Sequence, residues 1–207
     1  MINAFEQNRD IHQATAEKIY HLKSGSEITP EMRRVAKATN FGIVYGISDY
    51  GLAKNIGVTR KEAEKFINAY FEQYPFVKDY MEKTVKFARE KGYVETLSHR
   101  RRFLPDIHAK NFNLRHFAER TAMNTPIQGS AADIIKIAMI SIQNYFEDKK
   151  LKSKMILQVH DELTFEVAPG EEEIVGDIVP KLMDSAIELK VPLKVESHFG
   201  QTWFDVH

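Results

Sequence analysis

The sequence predicts an α+β protein in which a mostly helical part is followed by a small antiparallel sheet backed by helices. Helix start and stop signals recur through residues 1–149, and from residue 154 the apolar residues alternate as they do in strands. Helices and strands segregated in this way are typical of α+β folds. The predicted helices cover residues 1–22 (with a break at 8–10), 29–46, 49–55, 59–73, 76–91, 112–149 (with an interruption at 125–126) and 171–189, and the predicted strands cover 93–97, 102–104, 154–159, 163–167 and 191–198.

The helices of the first half are predicted from residues that favour helix ends. Asp10 and Thr59 each begin the pattern of a capping box. Thr29 can cap the helix that follows it, because Pro30 then takes the first helical position, where its missing N–H is not needed. Three of the helices are followed by a glycine that can end them: Gly46, Gly57 and Gly92.

The strands are predicted from changes in spacing and from turn residues. Residues 98–101 read as the basic tip of a hairpin. Residues 154–159 form a short apolar run, and Leu163, Phe165 and Val167 alternate with polar residues in the next strand. His160-Asp161 would form the tight turn between these two strands.

Composition is that of an ordinary soluble globular protein. The 207 residues include no cysteine, which excludes disulfides and thiolate metal sites and fits a cytoplasmic location. A run of 18 apolar residues and a signal-peptide pattern are both absent, so no membrane contact is expected. The net charge is zero, but residues 98–120 are mainly basic and residues 161–184 mainly acidic. Such a protein can bind a polyanion locally.

Four side chains at spacing four mark the central helix as a candidate nucleotide site. Arg33, Lys37, Phe41 and Tyr45 would form one slowly winding stripe, because four residues advance a helix by about one turn plus 40°. Cations neutralise phosphate and a flat ring stacks on a base, so this order suits a nucleotide. The alternative is a solvated basic face followed by core aromatics.

Two further groups of polar residues could contact nucleic acid. Arg100, Arg101 and Arg102 at a hairpin tip could clamp phosphates, although solvated charge is the ordinary interpretation. A second series at spacing four consists of long polar donors that reach phosphates, sugars or base edges, or else form a polar outer face: Arg120, Asn124 and Gln128.

The pattern Arg-x3-Lys-x3-Phe-x3-Tyr-Gly at residues 33–46 resembles motif B of the family A DNA polymerases, the bacterial DNA polymerase I family. Residues 158–162, Gln-Val-His-Asp-Glu, resemble motif C of the same family, and residues 119–129 resemble its minor-groove-reading helix. The resemblance extends over the whole chain and is strongest to the enzymes of Gram-positive bacteria. It implies a fingers subdomain over residues 1–111 and the C-terminal part of a palm over residues 112–207.

The resemblance also implies roles for individual residues. His12, Arg33 and Lys37 would contact the incoming deoxynucleoside triphosphate, with Lys37 also the proton donor to departing pyrophosphate. Phe41 would pack on the sugar and base, and Tyr45 would lie beside the templating position. The primer–template would be held by the following residues: Arg120, Asn124 and Gln128 in the minor groove, and His160 at the primer end.

Asp161 would be a catalytic ligand of Mg²⁺, with Glu162 a weaker catalytic and metal-binding neighbour. A two-metal site of this kind assists an in-line displacement. The family's other essential aspartate, in motif A, lies upstream of the part that this chain resembles, as does the thumb. We therefore expect the chain alone to be inactive and to need that upstream segment as a partner.

Four alternatives stay open. The chain could be an excised piece of a polymerase or one half of a split polymerase. It could also be a nucleic-acid-binding module without catalysis. A fragment of a single-subunit RNA polymerase is less favoured, because Phe41 and the full spacing of the stripe match the DNA enzymes.

Overall fold

A computed structural model describes residues 2–7 and 9–206 of the chain and confirms the α+β class. The helices are α1 (Ile2–Glu6), α2 (Ile11–Ile19), α3 (Pro30–Val44), α4 (Asp49–Ile56), α5 (Arg60–Gln73), α6 (Pro75–Lys91), α7 (Phe112–Asp148) and α8 (Glu172–Asp184), with short 3-10 turns at Pro105–His108 and Trp203–Val206. Two antiparallel pairs are formed by the strands β1 (Tyr93–Glu95), β2 (Arg101–Phe103), β3 (Lys154–Val159) and β4 (Glu162–Glu166). None of the described helices is long and apolar enough to cross a membrane.

The chain divides into two compact units, residues 1–130 and residues 131–207, and α7 contributes to both. The resemblance implies a boundary between a fingers and a palm subdomain after residue 111. This boundary does not coincide with the division into compact units, and it stays a prediction. The predicted break at residues 8–10 separates α1 from α2. Residue 8 itself lies outside the described residues, as do residues 1 and 207.

Helix ends in the first unit are formed by the residues that predicted them. The Thr29 hydroxyl accepts a hydrogen bond from a backbone N–H in the first turn of α3, where Pro30 is the first residue. Thr59 begins a complete capping box before α5. Gly57 and Gly92 end α4 and α6 in the left-handed conformation, which glycine adopts without strain.

The buried side of α3 fixes the orientation of this helix. Val35 packs with apolar residues of α4 and α5, and Ile43 packs with Tyr70 and Tyr74. Full burial of one such side chain stabilises a fold by about 1.5–3 kcal/mol. The buried residues of α3 occupy one side of the helix: Val35, Ala36, Thr39, Asn40, Gly42 and Ile43. The other side is therefore left to face solvent.

The hairpin β1–β2 and the start of α7 belong to a separate cluster of the first unit. Val94 of β1 and Leu104 after β2 pack with Ala88 of α6 and with Ala118 and Ala122 of α7. This packing places the polar residues of α7 next to the hairpin.

The second unit contains the strands β3 and β4 and the helix α8. The strands are joined by the two-residue turn that the sequence predicts, and Val159 pairs with Glu162 across it. The apolar cluster of this unit includes Ile142 and Phe146 of α7 and Val175 and Val179 of α8.

The predicted interruption at Thr125-Pro126 is wrong, because α7 continues through Pro126. A proline removes one helical N–H. Side chains add hydrogen bonds to the helix on both sides of the proline, since the Thr125 hydroxyl donates to the carbonyl of Thr121 and the Ser130 hydroxyl donates to the carbonyl of Pro126.

Three other local predictions are also wrong. Residues 191–198 alternate in polarity but form no strand, because β3 and β4 pair only with each other in the described sheets. The hairpin connection is shifted from the predicted tip at residues 98–101, since β1 already ends at Glu95 and Arg101 lies in β2. The last helix, predicted to residue 189, ends at Asp184.

Candidate nucleotide and nucleic-acid site

The stripe on α3 is an exposed surface, as the spacing of four predicts. Arg33, Lys37, Phe41 and Tyr45 are all exposed, whereas the residues between them are mostly buried. The rings of Phe41 and Tyr45 are stacked with centroids 6.3 Å apart, and Lys37 Nζ lies 6.0 Å from the centroid of Phe41. The alternative that these aromatics belong to the core is therefore wrong. The helix presents two flat rings and two cations to solvent.

Arg33 is oriented by a carboxylate that the sequence suggested only as a helix cap. Asp10 Oδ2 accepts hydrogen bonds from Arg33 Nε at 3.0 Å and from Nη2 at 2.7 Å. Asp10 Oδ1 accepts from the backbone N–H groups of His12 and Gln13 at the start of α2. Partial burial would raise the pKa of Asp10, but the hydrogen bonds from Arg33 and from these N–H groups lower it overall.

His12 lies between α2 and the stripe. Its ring centroid is 5.7 Å from that of Phe41, and its Nδ1 is 2.9 Å from the side-chain nitrogen of Asn40. Burial lowers the pKa of His12, and the positive charges of Arg33 and Lys37 lower it further, against the opposing effect of Asp10. Sequence analysis missed Asn40. A signal was present, because Asn40 is a polar residue on the otherwise largely apolar buried side of a helix.

A cleft of about 860 Å³ borders the stripe within the first unit. It is lined by Lys37, Phe41 and Tyr45 from the stripe, and by His116 and Arg120 from α7. Among the titratable residues of its lining, the described part of the chain places only cationic or neutral side chains and no carboxylate. A cleft with cations and exposed rings suits an anionic ligand that carries an aromatic base.

The end of α3 approaches α7 closely at Gly46. This glycine has a φ of +68°, and a Cβ placed on it would lie 2.6 Å from Met123 Cε and 3.0 Å from Arg120 Cγ. Gly46 therefore allows both the left-handed turn and the close contact with α7.

The three polar residues of α7 do not form one exposed row. Arg120 is half-buried, with Nη1 2.6 Å from His116 Nδ1. Asn124 is also half-buried, and its Oδ1 is buried with no hydrogen-bond partner among the described residues. Gln128 is exposed. The polar outer face that we considered as an alternative fits only Gln128.

The three arginines of the hairpin do not form a single cluster at its tip. Arg101 pairs with Glu95 at 2.8 Å and lies 4.5 Å from the ring centroid of Tyr93. Arg102 is the next residue along the strand and therefore points to the other face, where it contacts Thr125. Arg100 donates to the carbonyl of Gly129 at 3.3 Å. A joint phosphate clamp would require these side chains to change partners.

In the second unit, the predicted metal ligands lie at the turn between β3 and β4. His160 has a left-handed backbone, with a φ of +52°, and Gln158 Nε2 donates to its carbonyl at 2.8 Å. Asp161 is exposed. Glu162 accepts hydrogen bonds from Trp203 Nε1 and from the Thr164 hydroxyl, both at 3.3 Å. Within residues 2–7 and 9–206, no three His, Asp or Glu side chains group together as a metal site.

Comparison with known proteins agrees with the motifs. The model of DNA polymerase family A matches residues 1–205, and the chain belongs to this family. DNA polymerase I of Bacillus caldotenax is 57% identical over 205 residues, which are 99% of this chain and 23% of that protein. DNA polymerase I of Lactococcus lactis subsp. cremoris (strain MG1363) is 54% identical over 205 residues, again 99% of this chain and 23% of that protein. Both organisms are Gram-positive, as the sequence analysis predicted.

A solved structure has the same fold. The POL domain of Pol1 from M. smegmatis, in complex with DNA primer-template and dNTP, superposes with a TM-score of 0.93 at 42% identity. The match covers 98% of this chain and 35% of that one. The chain spans 23% of the length of the curated relatives named above.

Proposed function

We propose that this chain is the part of a template-directed DNA polymerase that binds the incoming deoxynucleoside triphosphate and part of the primer–template. Its helical part would be the fingers and its C-terminal part a portion of the palm. The exposed stripe on α3, with its stacked rings and neighbouring cations, is the observation that supports this proposal most. Because the chain belongs to DNA polymerase family A, a deoxynucleoside triphosphate is the ligand that we assign to that stripe.

The triphosphate is assigned to the stripe and to His12. Arg33 and Lys37 provide positive charge for the phosphates, and His12 adds a polar contact beside them. Phe41 would lie against the sugar and base, and Tyr45 beside the templating base. Lys37 is exposed and can approach a leaving pyrophosphate as a proton donor. Because a neutralised phosphate is a better leaving group, Lys37 would act mainly in the transition state.

The primer–template is assigned to α7, to the hairpin and to the turn of the second unit. Gln128 is exposed and can form hydrogen bonds with a groove edge. Asn124 would do so after its side chain turns outwards, and it would give up no hydrogen bond at Oδ1, which is buried without a partner among the described residues. Arg120 would contact the minor groove, and the hairpin residues Arg100, Arg101 and Arg102 would contact phosphates. Each of these arginines would first release its present partner. His160 would contact the primer end.

Asp161 and Glu162 would contribute to a Mg²⁺ site. Carboxylate oxygens are suitable ligands for Mg²⁺, and exposed Asp161 fits this role better than Glu162, whose carboxylate already accepts from Trp203 and Thr164. When bound, Mg²⁺ would activate the primer hydroxyl and stabilise the leaving phosphate oxygens. That the chain alone does not extend a primer stays a prediction, which primer extension with Mg²⁺ tests directly.

Nucleotide binding tests the assignment of the stripe. Titration of the chain with dATP should give a dissociation constant that rises about tenfold to a hundredfold in Lys37→Ala, because a charge-assisted hydrogen bond contributes about 1.5–3 kcal/mol. The matched control is Lys61→Ala, which removes an exposed lysine of α5 outside the cleft. Equal effects of the two changes would mean that the stripe is only a solvated surface.

The other interpretations give different results in the same assays. Tighter binding of ATP than of dATP would favour an RNA polymerase. Binding of a primer–template without any nucleotide binding would favour a module that only binds nucleic acid. If α7 contacts phosphates, Arg120→Ala should also reduce the salt dependence of primer–template binding by about one unit of slope.

A further inference from the structure

A buried hydrogen-bond relay connects His12 to the inner side of α3. The side-chain nitrogen of Asn40 lies 2.9 Å from His12 Nδ1, and Asn40 Oδ1 lies 3.0 Å from the Thr15 hydroxyl oxygen. Thr15 is 1% exposed and Asn40 is 8% exposed. Water therefore has little access to Thr15 and Asn40, and their polar atoms must find hydrogen-bond partners within the protein. Asn40 has His12 and Thr15, and the Thr15 hydroxyl also lies 2.8 Å from the carbonyl oxygen of Ile11.

The chemistry of these groups determines which nitrogen of His12 carries the proton. An amide nitrogen can only donate, so the imidazole nitrogen that faces it must accept and must be unprotonated. A neutral imidazole has one proton, which then lies on Nε2. The Thr15 hydroxyl fits this orientation of the amide: it lies 3.0 Å from Asn40 Oδ1 and 2.8 Å from the carbonyl oxygen of Ile11, and its single proton is shared between these two acceptors. Among the residues that the structure describes, no hydrogen bond to Nε2 is found, so this N–H is available for a ligand.

We propose that Asn40 is a positioning residue that holds His12 neutral, with its proton on Nε2 and directed to the phosphates of the bound nucleotide. His12 then supplies a hydrogen-bond donor, while Arg33 and Lys37 supply the positive charge. The proposal depends on the proposed function only for the identity of the ligand. The position of the proton follows from the orientation of the Asn40 amide, whose nitrogen faces His12 Nδ1.

The charged groups around His12 are consistent with a neutral ring. Asp10 of the preceding turn favours the cation, but it is itself paired with Arg33 at 2.7 Å. Arg33 and Lys37, both on α3, disfavour the cation. A protonated Nδ1 would also point its hydrogen at the amide hydrogens of Asn40.

Nuclear magnetic resonance of the whole chain labelled with ¹⁵N-histidine measures the tautomer directly. Two-bond and three-bond couplings distinguish a protonated Nε2 from a protonated Nδ1, and loss of one signal set in His12→Gln assigns His12 among the eight histidines. The expected result is a neutral His12 with the proton on Nε2 at pH 7. A proton on Nδ1 would overturn the proposal, because Asn40 would then accept from His12 and the Thr15 hydroxyl would be bound instead to the carbonyl of Ile11, 2.8 Å away.

Substitutions of Asn40 separate a positioning role from a merely structural one. Asn40→Asp replaces the donor by an acceptor, so the proton should move to Nδ1 and the pKa of His12 should rise. Asn40→Ala should leave a mixture of the two tautomers. The matched control is Thr39→Val, which removes a fully buried hydroxyl from the adjacent residue of α3, where it bonds to Val35, and which should leave His12 unchanged. An unchanged tautomer in both Asn40 variants would contradict the proposal.

Titration with dATP separates this proposal from the proposed function. A wild-type His12 with its proton on Nε2, whose Nε2 signal shifts on addition of dATP, supports both. If the proton is on Nε2 but the signal does not respond to dATP, the positioning by Asn40 stands and the ligand assignment fails. If Nδ1 carries the proton and the signal does respond, the nucleotide site stands and the role of Asn40 is refuted.

Discussion

Replacing Gly46 by alanine should lower the unfolding free energy of the first unit by more than the cost of the left-handed backbone conformation alone. The backbone there has a φ of +68°, so an alanine costs about 1–2 kcal/mol for the left-handed conformation. The new Cβ would also lie 2.6 Å from Met123 Cε and 3.0 Å from Arg120 Cγ. The Met123 methyl group can rotate away, but Arg120 Cγ is close to its own backbone. Overpacking therefore adds about 1–2 kcal/mol, within the usual range for such contacts.

Gly57→Ala provides the matched control for this effect. Gly57 has a φ of +74°, and no atom lies within 4 Å of a Cβ placed on it, so only the conformational cost applies. Urea denaturation followed by circular dichroism should show a loss of about 2–4 kcal/mol for Gly46→Ala and about 1–2 kcal/mol for Gly57→Ala, with similar m-values.

A background of Met123→Ala tests the physical cause. Removing the Met123 side chain eliminates one of the two close contacts, so Gly46→Ala should cost less in that background. Equal losses for the two glycine variants, or a Gly46→Ala cost that does not depend on Met123, would refute the contact between the end of α3 and α7.

Two further predictions concern pH. Burial raises the pKa of Tyr70 to about 12. The stabilisation that comes from the neutral Tyr70 is therefore fully present below its unfolded pKa of about 10 and is lost as the pH rises towards 12. Tyr70→Phe should remove about 2–3 kcal/mol of this alkaline fall in unfolding free energy. The lowered pKa of Asp10 has the opposite effect on the pH dependence. The stabilisation of the fold by ionised Asp10 is present above the unfolded pKa of about 4 and is lost as the pH falls through the lower pKa of the folded state. Asp10→Asn should therefore flatten the acid side of the profile and, because this ion pair is exposed, should change stability at pH 7 by about 1 kcal/mol or less. Denaturation series between pH 2 and pH 12 measure both effects, and parallel curves for variant and wild type would contradict them.

The sequence predicts best those features that depend on neighbouring residues. Thr29, Pro30 and Thr59 begin helices because caps and first turns use local hydrogen bonds, and the exposed stripe on α3 follows from the helical period. Residues 191–198 mislead for the opposite reason. A strand requires a hydrogen-bonding partner from elsewhere in the chain, and polarity alone does not supply one.

The parts of the site that sequence analysis missed are interactions between distant residues. Asp10 was identified as a cap, but its ion pair with Arg33 spans 23 positions. Asn40 bonds to His12 across 28 positions. The hairpin arginines were expected to act together, yet the pairing of Glu95 with Arg101 and the alternation of the strand separate them. Only the folded arrangement reveals which side chains share a hydrogen bond.

The two sides of α3 can change independently over evolutionary time. The residues that attach the helix to the protein are buried on one side, and the four stripe residues lie in solvent on the other. A substitution at Arg33, Lys37, Phe41 or Tyr45 should therefore cost little folding stability, since surface changes usually affect unfolding by less than about 0.5 kcal/mol and an exposed ion pair such as that of Arg33 contributes about 1 kcal/mol or less. If the stripe binds the nucleotide as proposed, it is a suitable target for directed evolution of nucleotide selectivity. Asn40 should be kept, because it lies on the buried side of the helix and contacts His12, whose ring lies next to Phe41 of the stripe.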